Sequence, residues 1–73
     1  MKERLAMLEE LEGELQVLDE LIWESIMKIE DIYSEDYHLG SLLAKVSMLL
    51  DSAREENANA LNEVQMEIEQ YEY

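Results

Sequence analysis

The chain has 73 residues, 48% of them hydrophobic, with no cysteine or proline and a formal net charge of −14 from nineteen Asp and Glu against five Lys and Arg. That length allows one domain with a marginal core, and the lack of cysteine excludes disulfides and thiolate metal sites. The charge repels nucleic acid and anionic membranes and attracts basic surfaces.

Disordered acidic tails lack apolar residues, whereas here they are abundant and periodic. Leu8, Leu11, Leu15, Leu18, Ile22, Ile26, Ile29 and Tyr33 recur at steps of three and four, forming one stripe of a helix. The first helix is predicted over about 2–33. Gly13 falls on its outer face, where it costs about 1 kcal/mol relative to alanine without enforcing a break.

A turn is predicted over about 34–40, the only cluster of turn-favouring residues. Gly40 is expected there in the left-handed conformation that bulkier residues avoid, with Ser41 capping the next helix. A second stripe, Leu43, Val46, Leu50, Ala53, Asn57, Ala60, Leu61, Val64, Ile68 and Tyr71, predicts a helix over about 41–71. Ser52 and Glu55 have capping-box spacing, but no Gly or Pro enforces a stop, so continuity is expected.

A short connection between long helices makes them antiparallel. The expected fold is all-α, a single antiparallel helical hairpin over residues 1–73. A turn near Tyr37 sets Leu15, Leu18 and Ile22 opposite Ala60, Asn57 and Ala53. Asn57, within the stripe, either fixes register or oligomeric state, as buried asparagines do, or faces the rim.

Two helices leave too much apolar surface uncovered. Leu21 and Ile32 lie to one side of the first stripe, Trp23 and Met27 to the other, and Met48 and Met66 project from the second. A helix apolar on several sides is normally buried on several sides. Association into a homodimeric four-helix bundle is therefore expected, with Leu21, Trp23, Met27, Ile32 and Met48 as an apolar anchor for a partner.

Catalytic chemistry has little support. His38 is the only histidine and reads as a solvated loop residue. Glu35-x-x-His38 has the carboxylate–histidine spacing of di-iron bundles, but it occurs once and in the predicted turn. No calcium-loop pattern is present, so no metal, cofactor or catalytic residue is expected.

The acids themselves are more telling. Glu9, Glu10, Asp19, Glu20, Glu24, Glu30 and Asp31 crowd the first helix, opposed only by Lys28. Neighbours three and four apart stand about 5–6 Å from each other, which approaches the phosphate spacing of a DNA strand, about 3.4 Å along the axis. The expected function is non-enzymatic: binding a basic protein surface, as an inhibitor or regulator of a nucleic-acid-binding protein by charge mimicry. The alternative is a chaperone or assembly scaffold shielding a partner's amphipathic helix. No apolar run reaches the roughly 18–20 residues of a membrane span. The opening Met1-Lys2-Glu3-Arg4 leads into mixed Leu and Glu rather than a signal core. A cytoplasmic location, without membrane or direct nucleic-acid contact, is expected.

Three resemblances accompany this reading. In charge and size the chain resembles small acidic DNA-mimic and phage-type inhibitor proteins. In shape it is similar to the helical-hairpin co-chaperones of type III secretion needles. Ser47-Met48-Leu49-Leu50-Asp51 resembles the Ser-Gln-x-Leu-Asp signature of the sporulation-regulator aspartyl-phosphate phosphatases, with Met48 in place of Gln. That last resemblance implies Asp51 acting on a response regulator's phosphorylated aspartate. It covers five residues, and helix packing already accounts for Leu50.

Overall fold

A computed structural model describes residues 2–71 and contains two α-helices, α1 (Lys2–Glu35) and α2 (Tyr37–Tyr71). They pack against each other along a body of 53 × 15 × 13 Å. A single uninterrupted helix of the same residues would extend about 105 Å, so the chain is folded back on itself. Contacts between distant residues give the direction: Arg4 meets Glu67, Asp19 meets Arg54, and Asn57 bonds to Leu15. The hairpin is antiparallel, as expected, and α2 is unbroken through Asp51–Glu55.

The connection is shorter than the seven-residue turn predicted over 34–40: only Asp36 lies outside the helices. Its N–H donates to the Ile32 carbonyl at 2.8 Å, continuing α1, and its carbonyl accepts from the Gly40 N–H at 2.9 Å, opening α2. Its side chain accepts from the Leu39 N–H at 3.1 Å. Asp36, not Ser41, is therefore the N-cap. A carboxylate suits this place because the amide ends of a helix carry partial positive charge.

Gly40 also differs from expectation. No described residue has a positive φ, so Gly40 is an ordinary helical residue in the first turn of α2. It is buried, and a Cβ there would stand 2.5 Å from the Tyr33 Cα. Glycine is required by the close approach of two helices beside a one-residue link, not by backbone conformation.

That close approach sets the rotational phase of α2. From Gly40 the residues facing α1 alternate by three and four: Leu43, Ser47, Leu50, Arg54, Asn57, Leu61, Val64, Ile68 and Tyr71. The matching set on α1 is Leu5, Leu8, Glu12, Leu15, Asp19, Ile22, Ile26 and Ile29. These are the interhelical positions of a heptad seam. The predicted stripes agree with it only in part, since Leu11, Leu18, Val46, Ala53 and Ala60 are exposed while polar Glu12, Asp19, Ser47 and Arg54 are partly covered.

Register moves as well. The Asn57 Nδ2 donates to the Leu15 carbonyl at 2.9 Å, so Asn57 lies opposite Leu15 rather than Leu18, almost one turn away. Asn57 is buried and holds register. The core is thin: Leu8 and Ile26 are the buried hydrophobic residues, at 2% and 4% exposure, among the described residues.

Candidate partner-binding surfaces

A heptad seam leaves two flanks. Residues one step before Glu12, Asp19 and Tyr33 are Leu11, Leu18 and Ile32; those one step before Gly40, Ser47 and Arg54 are Leu39, Val46 and Ala53. In an antiparallel pair these positions share one side. The ion pair of Arg4 with Glu67 at 2.7 Å joins two such positions and fixes the assignment. Leu21, Leu42 and Leu49 lie on the outer rim of the same side.

This apolar flank is open to solvent. Leu42 and Leu49 are 64% and 69% exposed, and Leu18, Leu21, Leu39 and Val46 are exposed as well. Between the helices runs a shallow groove of about 940 Å³, floored by Leu43 and Leu50 and edged by Leu21, Ser25, Ile32 and Val46. Its lining continues over α1 through Glu24 and Met27 to Trp23. Ser25, the polar residue in this row, donates its hydroxyl to the Leu21 carbonyl at 2.9 Å. Its hydrogen bond is satisfied within its own helix.

The opposite flank carries charge. Glu9, Trp23, Glu30 and Asp51 follow seam positions there, while Glu10, Glu20, Glu24 and Asp31 cover the outer surface of α1; all are exposed. Among the described residues, the cross-helix ion pairs are Arg4 with Glu67 and Arg54 with Asp19. Six of the seven acids singled out from the sequence therefore stand without an ion-pair partner among the described side chains.

Asp19 is the different one. It lies in the seam, accepting from Arg54 Nε at 2.8 Å and from Nη2 at 3.4 Å. The hydrogen bonds from Arg54 hold the Asp19 carboxyl below the usual carboxylate range against an opposing desolvation, and the same pairing raises the guanidinium. Arg54 also sits over the Trp23 ring, 4.7 Å from its centroid, in cation–π geometry. The charge of Asp19 and one face of Trp23 are thus engaged inside the molecule.

Four of the five anchor residues, Leu21, Trp23, Met27 and Ile32, line the same groove, and Met48 lies outside it. Leu21 and Ile32 edge the apolar flank, Trp23 lies on the acidic flank against Arg54, and Met27 is exposed on the outer surface of α1. Met48 projects from the back of α2, near Lys45 and Ser52. The row Leu39, Leu42, Leu49 was missed in the sequence, although its spacing of three and seven is the signal that reveals it.

Ser47 and Leu50 of the phosphatase-like pentapeptide face α1, while Met48 and Asp51 point to solvent. His38 is exposed in the first turn of α2. No group of three or more His, Cys, Asp or Glu among the described residues is arranged to hold a metal ion. No helix among them is long and apolar enough to cross a membrane. Comparison with protein-family models, with curated proteins and with solved structures gives no match to this chain.

Proposed function

We propose that the chain is a non-enzymatic, self-associating acidic protein, two copies forming a four-helix bundle that binds a basic protein surface. The observation that carries the reading is the uncompensated arc of Glu9, Glu10, Glu20, Glu24, Glu30 and Asp31 on a rigid rod 53 Å long. Soluble helices commonly intersperse both signs of charge; this arc does not. A fixed row of carboxylates at helical spacing suits a groove lined by Lys and Arg, so inhibition or regulation of a nucleic-acid-binding protein by charge mimicry is the use we assign to it. Met27 supplies an apolar contact within the arc.

The test is capture of a basic nucleic-acid-binding protein, followed by elution with increasing salt and by competition with duplex DNA. Screening tightens from a Debye length of about 10 Å at 0.1 M to about 3 Å at 1 M, so the complex should release at moderate salt and yield to DNA. Glu20→Lys with Glu24→Lys should weaken it severely. Binding indifferent to salt and to those reversals rejects mimicry.

A second reading, a chaperone or scaffold that shelters a partner's amphipathic helix, draws on the exposed apolar flank. It requires binding that survives the charge reversals and is lost in Leu21→Glu.

A further inference from the structure

We infer that the apolar flank, edged by Leu21, Ile32, Leu42, Val46 and Leu49, is the surface on which a second copy of this chain docks, leaving the acidic flanks of both copies facing outward. The inference rests on the reading of the chain as self-associating and adds which face is used.

Area is the first argument. The hairpin exposes 5902 Å², whereas a compact monomer of this mass exposes about 4,700 Å². The excess is about 1,200 Å², and a standard interface buries about 800 Å² on each partner. With only Leu8 and Ile26 buried among the apolar side chains of the described residues, the pair of helices has a core too thin to match its length.

Periodicity is the second. Leu11, Leu18, Ser25 and Ile32 repeat every seven residues beside the α1 seam, and Leu39, Val46, Ala53 and Ala60 do so beside α2. Helices with two adjacent heptad seams touch two neighbours, and here one neighbour is already the other helix.

Charge identifies the occupant. A chain of −14 repels its own copy, so two copies meet where the surface carries least charge. From Leu18 to Ala53 the charged residues of this flank and its groove are Lys28 against Glu24, Asp31 and Glu35, a net −2 out of the chain's −14. A basic partner would gain from a dense row of acids here, and a like-charged one from their scarcity. A two-fold interface joins the same patch on both copies, and this patch is self-complementary because its centre is apolar and its charge is low.

Sedimentation equilibrium tests the proposal. The wild-type chain should sediment with the mass of two chains, and Leu42→Glu with Val46→Glu should reduce it to one, while Met66→Glu on the outer surface of α2 leaves two. Because separated hairpins can lose helicity, a second measurement uses single cysteines in this cysteine-free chain. Maleimide should alkylate Val46→Cys many-fold more slowly than Met66→Cys, and dilution should remove the difference. A wild-type chain of single mass overturns self-association altogether. A dimer that persists in the Leu42 and Val46 variants and dissociates in Trp23→Glu overturns only the choice of face. Equal alkylation at both cysteines in a dimeric sample does the same.

Discussion

The two flanks of this hairpin share one backbone and one seam, yet one carries Leu18, Ile32, Leu39 and Val46 and the other carries Glu9, Glu30 and Asp51 around Trp23. Folding back requires only that seam positions meet, so the flanks are free to carry different instructions. The apolar flank concentrates uncovered surface near the turn, where Leu39, Leu42 and Leu49 stand exposed. The acidic side concentrates like charge, which would oppose contact between copies there. In the dimer we propose, burial would drive association and like charge would direct where it occurs.

The sharpest way to break this comparison is to exchange the flanks. Placing Glu at positions 42 and 46 should abolish self-association outright, read as a halved mass at sedimentation equilibrium. Glu20→Lys with Glu30→Lys, both outside the groove lining, should remove partner binding while leaving the dimer. If either pair of substitutions affected both properties equally, the division of labour would be wrong.

The division also depends on the rotational phase fixed at Gly40. Gly40→Ala drives a Cβ into the Tyr33 backbone, an overpacking of about 1–3 kcal/mol against a propensity gain of about 1 kcal/mol. A lowered urea midpoint is expected, with the largest chemical-shift changes at Tyr33 and Tyr37, whose rings meet edge-on at 5.3 Å. An unchanged or raised midpoint would show that the helices separate there freely.

A smaller effect concerns Asp19 and Arg54, which close the seam on the side of Trp23. A depressed folded-state pKa contributes stability that is complete above the unfolded value and fades as pH falls through the folded one. The stability difference between wild type and Asp19→Asn should therefore be constant above about pH 5 and shrink below about pH 4, given an ordinary Asp value of about 3.9. Thermal melts across that range, together with Trp23 emission, measure it; a difference that grows on acidification contradicts the assignment.

The smallest change makes the best control. A Cβ at Gly13 meets nothing within 4 Å, so Gly13→Ala should stabilise the helix by about 0.5–1 kcal/mol. It should move neither mass nor binding. Opposite signs at the two glycines would separate conformational entropy from packing.

Much of the architecture was legible in the order of residues. Steps of three and four predicted two long helices, the want of Pro predicted their continuity, and the spread of Leu21 and Ile32 away from Trp23 predicted unlike sides. Leu11, Leu18 and Val46 misled because a step of three or four fits two overlapping stripes one residue apart. Periodicity alone does not say which stripe faces the partner helix.

By itself, then, the sequence determined helix type, the number of helices, their antiparallel return and the sign of the surface, because propensity, spacing and charge are local or additive. Only the tertiary structure decided the one-residue link at Asp36, the helical role of Gly40 and the placing of Asp19, Arg54 and Asn57 in the seam. Each depends on how closely two helices approach and at what rotation. That is a property of the pair: a Cβ excluded by the Tyr33 backbone and an amide bonded to the Leu15 carbonyl exist only once both helices are in place.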